Sequence, residues 1–245
     1  MKFKILAFIY TLMLSILDLL LLLIIIIIYN IYSYDKYVIK KDYNKKFKFN
    51  NLNYHYYPFY LRPITIFNSS SNCISILDKF NISSNDSFLD IGSGDGYILL
   101  YVNKKYNFKS IYGVEIDEKI YNQSLYNINL INTNKIKVYN KDATKFKIPN
   151  DVNYIYLFNP FAKVFYKKKI DNDELEKYNN IVSNIKKSYK ENPRKITIIF
   201  TNIRSNSDKD NEILKLFSKN FKIIEENKLF MNIVLKINYA IFVLN

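Results

Sequence analysis

Asp90-Ile91-Gly92-Ser93-Gly94-Asp95-Gly96 is the stretch that decides the fold, and it holds three of the chain's 4 glycines. The fourth, Gly113, follows shortly after it. Glycine is kept where a side chain would block a left-handed turn or the close approach of a ligand. Residues 87–91 read as a buried strand, and residues 97–106 as the start of a helix. A strand, a glycine turn and a helix form the unit that binds nucleotide-like cofactors.

The glycine spacing discriminates between cofactors. Dinucleotide-binding turns need G-x-G-x-x-G/A, and here the third small position is occupied by the bulky Tyr97. The glycines instead run G-x-G-x-G behind an acid, which resembles motif I of the class I S-adenosylmethionine (SAM) methyltransferases. The resemblance implies that the turn contacts SAM through Asp90, Gly92, Ser93, Gly94 and Gly96. The alternative, a NAD-binding oxidoreductase, is disfavoured by Tyr97.

A second strand, residues 110–117, ends in acid, with Glu115 at the expected distance. In the resembled family this acid, here Glu115, holds both ribose hydroxyls, and a carboxylate can accept two hydrogen bonds at once. The adjacent Ile116 is assigned to the same cofactor site. Asp117 is better placed to cap the next helix, residues 118–129. An acid about 20 residues after a glycine turn would also suit NAD.

A third strand, residues 135–140, is followed by Asp142-Ala143. The resembled family places an Asp-Ala pair here, where the acid reaches the adenine amino group and the neighbouring backbone reads the ring edge. The resemblance therefore assigns Asp142 and Ala143 to adenine recognition.

A fourth strand, residues 154–158, leads into Asn159-Pro160-Phe161. In similar enzymes that methylate amino groups, such a motif accepts hydrogen bonds from the target nitrogen, and its aromatic ring packs beside that nitrogen. This is catalysis mainly by positioning. The usual nucleic-acid signature has two prolines, whereas this motif has one, which argues against duplex DNA. The motif resembles that of bacterial relatives of the lysine methyltransferases that lack a SET domain. The other interpretation of Asn159-Pro160 is a simple turn.

The remaining pattern completes an α/β fold. Helices are predicted over residues 71–80, 174–190 and 212–218, and strands over 195–200, 221–225 and 231–244. Alternating strands and helices predict a mostly parallel sheet covered on both faces, with a closing antiparallel pair. The resemblance covers residues 66–245 and implies a Rossmann-like sheet of seven strands.

The N-terminus predicts a transmembrane helix. Residues 5–28 are apolar except for Thr11, Ser15 and Asp18, and at about 1.5 Å per residue they can span a hydrocarbon core of about 30 Å. A cleavable signal peptide is the alternative. Two lysines precede the span and six follow it closely, so we expect the N-terminus outside and the methyltransferase domain in the cytoplasm. The predicted domains are an anchor at 1–30, a basic tyrosine-rich segment at 31–65 and the methyltransferase at 66–245.

The formal net charge of +14 invites a nucleic-acid interpretation. However, lysine far outnumbers arginine, the residue that phosphate and base readers prefer. The basic segment next to the span fits an anionic lipid surface better, with RNA binding as the alternative. The single Cys73 excludes an intramolecular disulfide, and the lone His55 offers no metal cluster.

Together these patterns predict a membrane-anchored SAM-dependent methyltransferase with an acceptor nitrogen on a protein lysine. Methylation of RNA, a lipid headgroup or a small molecule is the alternative within the same class. A SAM-binding membrane protein without turnover is the alternative from another class.

Overall fold

The computed structural model describes residues 13, 15–21, 23–24, 47, 76–158, 160–161, 172–201, 208–227 and 239–245. Its main elements, in chain order, are β1 (Ser87–Ile91), α1 (Tyr97–Lys105), β2 (Ser110–Glu115), α2 (Glu118–Asn129), β3 (Ile136–Asn140), a short 3-10 turn (Ala143–Lys145), β4 (Val152–Phe158), α3 (Asn172–Glu191), β5 (Ile196–Thr201), α4 (Asp208–Asn220), β6 (Lys222–Asn227) and β7 (Tyr239–Leu244).

The strands form one seven-stranded sheet in the order β3-β2-β1-β4-β5-β7-β6. Strands β1 to β5 are parallel to one another, and β7 runs antiparallel to both β5 and β6. This confirms the predicted Rossmann-like sheet with its closing antiparallel pair. The chain moves outward from β1 to β3 and then returns to β4, so the strand order reverses between β1 and β4. In open α/β sheets, ligands bind beyond the carboxyl ends of the strands at such a switch point.

The sheet is buried on both faces because side chains alternate along each strand. On one face, Leu89 and Leu157 pack with α3 and α4. On the other, Phe88 and Tyr156 pack with α1. Burial on two sides explains why β1 and β5 are continuous buried runs rather than alternating ones.

Element bounds differ from the predicted ones mostly at their polar ends. Helix α3 begins at Asn172 and α4 extends over Asp208–Asn220, because polar residues continue an amphipathic helix beyond its last apolar position. Strand β4 begins at Val152. Of the helix predicted at 71–80, only Ile76 and Leu77 are helical among the described residues, and 71–75 lie outside them. Residues 231–238 of the last predicted strand also lie outside.

The predicted transmembrane helix lies largely outside the described residues. Residues 13, 15–21 and 23–24 are helical and exposed. Within the described ranges, no helix is long and apolar enough to cross a bilayer. From the segment 31–65, the structure describes Phe47, which is buried in the same hydrophobic cluster as Phe88.

Candidate cofactor and acceptor site

The glycine turn connects β1 to α1 and has the conformation that its sequence predicts. Gly92, Gly94 and Gly96 have φ of +83°, +55° and +81°, a region that other residues rarely adopt. The backbone N–H groups of Gly92 and Ser93 both donate to the Val114 carbonyl, at 2.9 and 3.0 Å. The turn is thereby fixed to the end of β2, where the next predicted site residue lies.

The three glycines face different surroundings. A Cβ on Gly94 would meet no atom of the described residues within 4 Å, so among them this backbone borders open space. A Cβ on Gly92 would lie 3.1 Å from Pro160 Cβ, and one on Gly96 would lie 2.6 Å from Ser124 Oγ. Gly94 therefore leaves room for a ligand, while Gly92 and Gly96 allow close packing of the protein itself.

The Ser93 side chain points into the protein. It is 5% exposed, and its Oγ would lie 2.7 Å from a Cβ on Gly113. This Oγ has no hydrogen-bond partner among the described residues. Because the side chain faces β2, Ser93 can reach a cofactor only through its backbone.

Glu115 is held at the end of β2 by two backbone donors. Its Oε2 accepts from Gly94 N at 3.0 Å, and its Oε1 accepts from Asp117 N at 2.9 Å. A carboxylate has about four lone-pair sites, so two remain for further donors such as ribose hydroxyls. Asp117 itself caps α2 by accepting from Ile120 N at 2.9 Å, which confirms its predicted structural role.

Asp90 lies in β1, in register with Gly113 of β2. Burial, and secondarily the negative charge of Glu115, raises the pKa of the Asp90 carboxyl to about 8. This carboxyl is therefore mostly protonated at neutral pH, and a neutral acid can donate a hydrogen bond as well as accept one. Asp90 is thus a buried, mostly neutral carboxyl in the strand that enters the glycine turn, and its contact with the cofactor stays a prediction.

Asp142 begins the 3-10 turn that follows β3. Its Oδ1 accepts from Thr144 N at 2.9 Å and from Thr144 Oγ1 at 2.7 Å. Burial raises the pKa of Asp142, but these hydrogen bonds, together with the nearby lysine charges, outweigh it and lower the pKa overall. The side chain is therefore an anionic acceptor at neutral pH, with Ala143 next to it in the turn.

Ile116 is 69% exposed at the same edge of the sheet, between Glu115 and the helix cap. Asn140 Nδ2 donates to the carbonyls of Glu115 and Ile116, at 3.0 and 3.1 Å, which fixes the ends of β2 and β3 together. The structure thus brings the motif I turn, Glu115, Ile116 and the Asp142-Ala143 pair to adjoining strand ends.

The acceptor motif follows β4. Asn159 lies outside the described residues, whereas Pro160 packs against Gly92 and so joins this motif to the glycine turn. The Phe161 ring is half-buried against Tyr178 of α3, with ring centroids 5.1 Å apart. Its packing on α3 is a feature that the sequence did not predict.

Several asparagines support the site and were not predicted from the sequence. The fully buried Asn127 of α2 donates to the Asp95 carbonyl at 2.9 Å, and Asn184 of α3 donates to the Thr144 carbonyl at 2.9 Å. The available signal was a polar residue on the apolar face of a predicted helix. Such a residue is retained when its amide has a partner.

No cluster of three or more His, Cys, Asp or Glu side chains that could hold a metal ion occurs in the described part of the chain.

The fold and the site define a class I SAM-dependent methyltransferase. The residues present fit SAM, because open space borders Gly94 and free acceptor capacity remains on Glu115. The sequence profile of the ribosomal RNA adenine dimethylases matches residues 65–203, which is more than half of the chain. The chain belongs to this family and is a SAM-dependent methyltransferase.

Solved structures share the fold at low sequence identity. The human methyltransferase 10 domain containing protein is 15% identical, with a TM-score of 0.56 over 88% of this chain and 96% of that one. Magnesium protoporphyrin IX methyltransferase from Synechocystis PCC 6803, solved with bound SAM, is 14% identical, with a TM-score of 0.54 over 85% and 96%. A SAM-dependent methyltransferase from Aquifex aeolicus is 14% identical, with a TM-score of 0.53 over 80% and 99%. The alternatives of a NAD-dependent oxidoreductase and of a SAM-binding protein without turnover gain no support from these comparisons.

Proposed function

We propose that this protein transfers a methyl group from SAM to an exocyclic amino nitrogen of an RNA base, with adenine as the first candidate. The family match supports RNA as the acceptor. The observation that carries methyl transfer at this site is the closeness of Pro160 to Gly92, where an added Cβ would lie 3.1 Å from Pro160 Cβ, because it puts the acceptor motif beside the cofactor turn.

SAM supplies an electrophilic methyl group on a positively charged sulfur. The protein's task is to direct a nitrogen lone pair at that methyl. The amide oxygen of Asn159 and the carbonyl of Pro160 would accept the two N–H groups of the target, which withdraws its lone pair from conjugation with the ring. The nitrogen would then take the methyl group as the bond from that methyl to sulfur breaks, and it would release one proton to solvent. Phe161, supported by Tyr178, limits the space beside the target. Catalysis of this kind rests on alignment rather than on a titrating acid or base.

The second candidate is the lysine acceptor on a membrane protein, together with membrane anchoring of the enzyme. The observation that favours it is the N-terminal helix, in which Leu17, Leu19 and Leu21 are each more than half exposed. A helix that is apolar on all sides needs a protein or lipid partner. In this version the N-terminus lies outside, residues 1–30 form the anchor, 31–65 adjoin the anionic lipid surface, and the domain from 66 onward lies in the cytoplasm.

One labelling experiment distinguishes the two acceptors. The full-length protein in nanodiscs receives SAM with a deuterated methyl group, together with total RNA and a membrane-protein extract. Mass spectrometry then measures labelled methyladenosine and labelled methyl-lysine. We expect label in adenosine, and its loss in Glu115→Ala but not in Glu118→Ala, a matched change on the exposed surface of α2. Label confined to lysine would replace the RNA proposal by the second candidate, and label in neither would refute both.

Anchoring is tested by carbonate extraction of membranes from cells that express the protein. We expect the wild type to stay in the membrane pellet and Leu20→Lys combined with Ile24→Lys to be released, because each central lysine costs about 3 kcal/mol of insertion free energy. Equal release of both proteins would contradict the anchor.

A further inference from the structure

The turn that carries Asp142 and Ala143 is held from outside by α3. Asn184 Nδ2 donates to the Thr144 carbonyl at 2.9 Å and to the Ala143 carbonyl at 3.3 Å. These carbonyls belong to the short 3-10 turn, in which Phe146 N also donates to the Ala143 carbonyl at 3.3 Å. A single side chain thus contacts two consecutive peptide groups of the turn.

Besides Asn184, the place of the turn is set by the hydrogen bond from Lys141 N to the Glu115 carbonyl at 3.1 Å and by the packing of Ala143 and Phe146 against the core. Asp142 and Thr144 bond to each other, and Lys145 N donates to the Asp142 carbonyl at 3.0 Å. These bonds are local and form a closed unit, so they set the shape of the turn but not its place in the protein. Short 3-10 segments are weakly stabilised on their own.

Helix α3 is a rigid reference for that placement. Its buried face includes Tyr178, Ile181 and Ile185, all of which lie in the core with 1% exposure or less. Asn184 is half-buried beside them, on a helix that also supports Phe161 through Tyr178. The helix therefore contacts the adenine turn at one point and the acceptor motif at another.

We propose that Asn184 is a positioning residue for the cofactor: its amide places the Asp142-Ala143 turn for adenine recognition. This goes beyond the proposed function and does not depend on which acceptor is methylated. Asn184 does not contact the cofactor itself. It acts by fixing the peptide planes on both sides of Thr144, and so the direction of the Asp142 carboxylate and of the Ala143 backbone.

The test compares Asn184→Ala with Asn179→Ala in the full-length protein. Asn179 lies on the same helix, but its amide donates within that helix, to the Leu175 carbonyl at 3.2 Å. Calorimetry measures the binding of S-adenosylhomocysteine and of S-inosylhomocysteine, in which an oxygen replaces the adenine amino group. Thermal unfolding checks that each variant is folded.

We expect Asn184→Ala to weaken S-adenosylhomocysteine binding about five- to tenfold, the loss typical of one good hydrogen bond. The affinity for S-inosylhomocysteine should fall less, because this ligand already lacks the amino group that Asp142 recognises. The ratio of the affinities for S-adenosylhomocysteine and S-inosylhomocysteine should therefore decrease. The KM for SAM should rise while kcat at saturation stays within about twofold, the pattern expected for lost uniform binding. Asn179→Ala should match the wild type.

A second variant, Asn184→Asp, keeps the size of the side chain and places a carboxylate against the two carbonyls. This variant should weaken the binding of S-adenosylhomocysteine at least as much as Asn184→Ala does. It provides the test if the alanine variant unfolds. Three results would each overturn the proposal: wild-type binding in the Asn184 variants, an equal loss for both ligands, or the same loss in Asn179→Ala.

Discussion

Replacing Gly94 by alanine should reduce cofactor binding much more than it reduces the stability of the fold. A Cβ at this position would have no atom of the described part of the chain within 4 Å, yet φ is +55°. The left-handed conformation costs a residue with a Cβ about 1–2 kcal/mol. Replacing glycine also lowers the conformational entropy of the unfolded chain, which stabilises the folded protein by about 0.4–1 kcal/mol. The free energy of unfolding should therefore fall by only about 1 kcal/mol, or roughly 2–4 °C in melting temperature.

The effect on SAM should be larger, because the added methyl group enters the open space that we assign to the cofactor. Forcing one extra methyl into a close-packed contact costs about 1–3 kcal/mol. We therefore expect SAM and S-adenosylhomocysteine to bind about 5- to 150-fold more weakly to Gly94→Ala, which titration calorimetry measures directly.

Gly113→Ala is the comparison, since its new Cβ would lie 2.6 Å from Leu99 Cδ1 and 2.9 Å from Ser93 Cβ. That clash is inside the protein, so this variant should lose more stability than Gly94→Ala. The reasoning would be refuted if Gly94→Ala bound SAM as tightly as the wild type, or if it were destabilised as much as Gly113→Ala.

Three further predictions follow from the site. Glu115→Gln should weaken SAM binding about 10- to 100-fold, because a charge-assisted acceptor is lost. Glu118→Gln should bind SAM as the wild type does. Equal affinities of the two variants in calorimetry would contradict the ribose role of Glu115. The pKa of Asp90 is raised in the folded protein, so its protonated carboxyl contributes to the free energy of unfolding. This contribution is fully present below the unfolded pKa of about 3.9 and is lost as pH rises through about 8. In urea unfolding, the stability of Asp90→Asn relative to the wild type should therefore increase from pH 5 to pH 8, and parallel pH curves would argue against a buried acid. Asn127→Ala should lower the free energy of unfolding by about 1–3 kcal/mol, since it removes the hydrogen bond from a buried amide to the Asp95 carbonyl. An unchanged urea midpoint would contradict this role of Asn127.

The fold was predictable because its signals are local and agree with one another. The glycine turn, the buried run of β1 and the acid that ends β2 each specify one step of an α/β unit. The left-handed conformations of Gly92, Gly94 and Gly96 then follow from the need for glycine. The number of strands followed from the resemblance, whereas the strand order was not predicted, because periodicity does not determine which strands become neighbours.

The site was less predictable where it depends on distant contacts. Nothing in the sequence shows that Ser93 turns inward against Gly113, that Phe161 packs on Tyr178, or that Asn184 reaches the turn after β3. Each contact joins residues that only the folded sheet brings together. The acceptor motif alone does not determine the acceptor. The sequence of Asn159-Pro160-Phe161 favours a protein lysine, whereas the family match favours RNA.

A crystal structure of the protein with S-adenosylhomocysteine is the most direct test of the central claim. The account predicts that the ligand lies across the ends of β1, β2 and β3. The ribose hydroxyls should lie within hydrogen-bond distance of Glu115, and the adenine ring beside Asp142 and Ala143. A ligand bound elsewhere, or a ribose that does not contact Glu115, would contradict it.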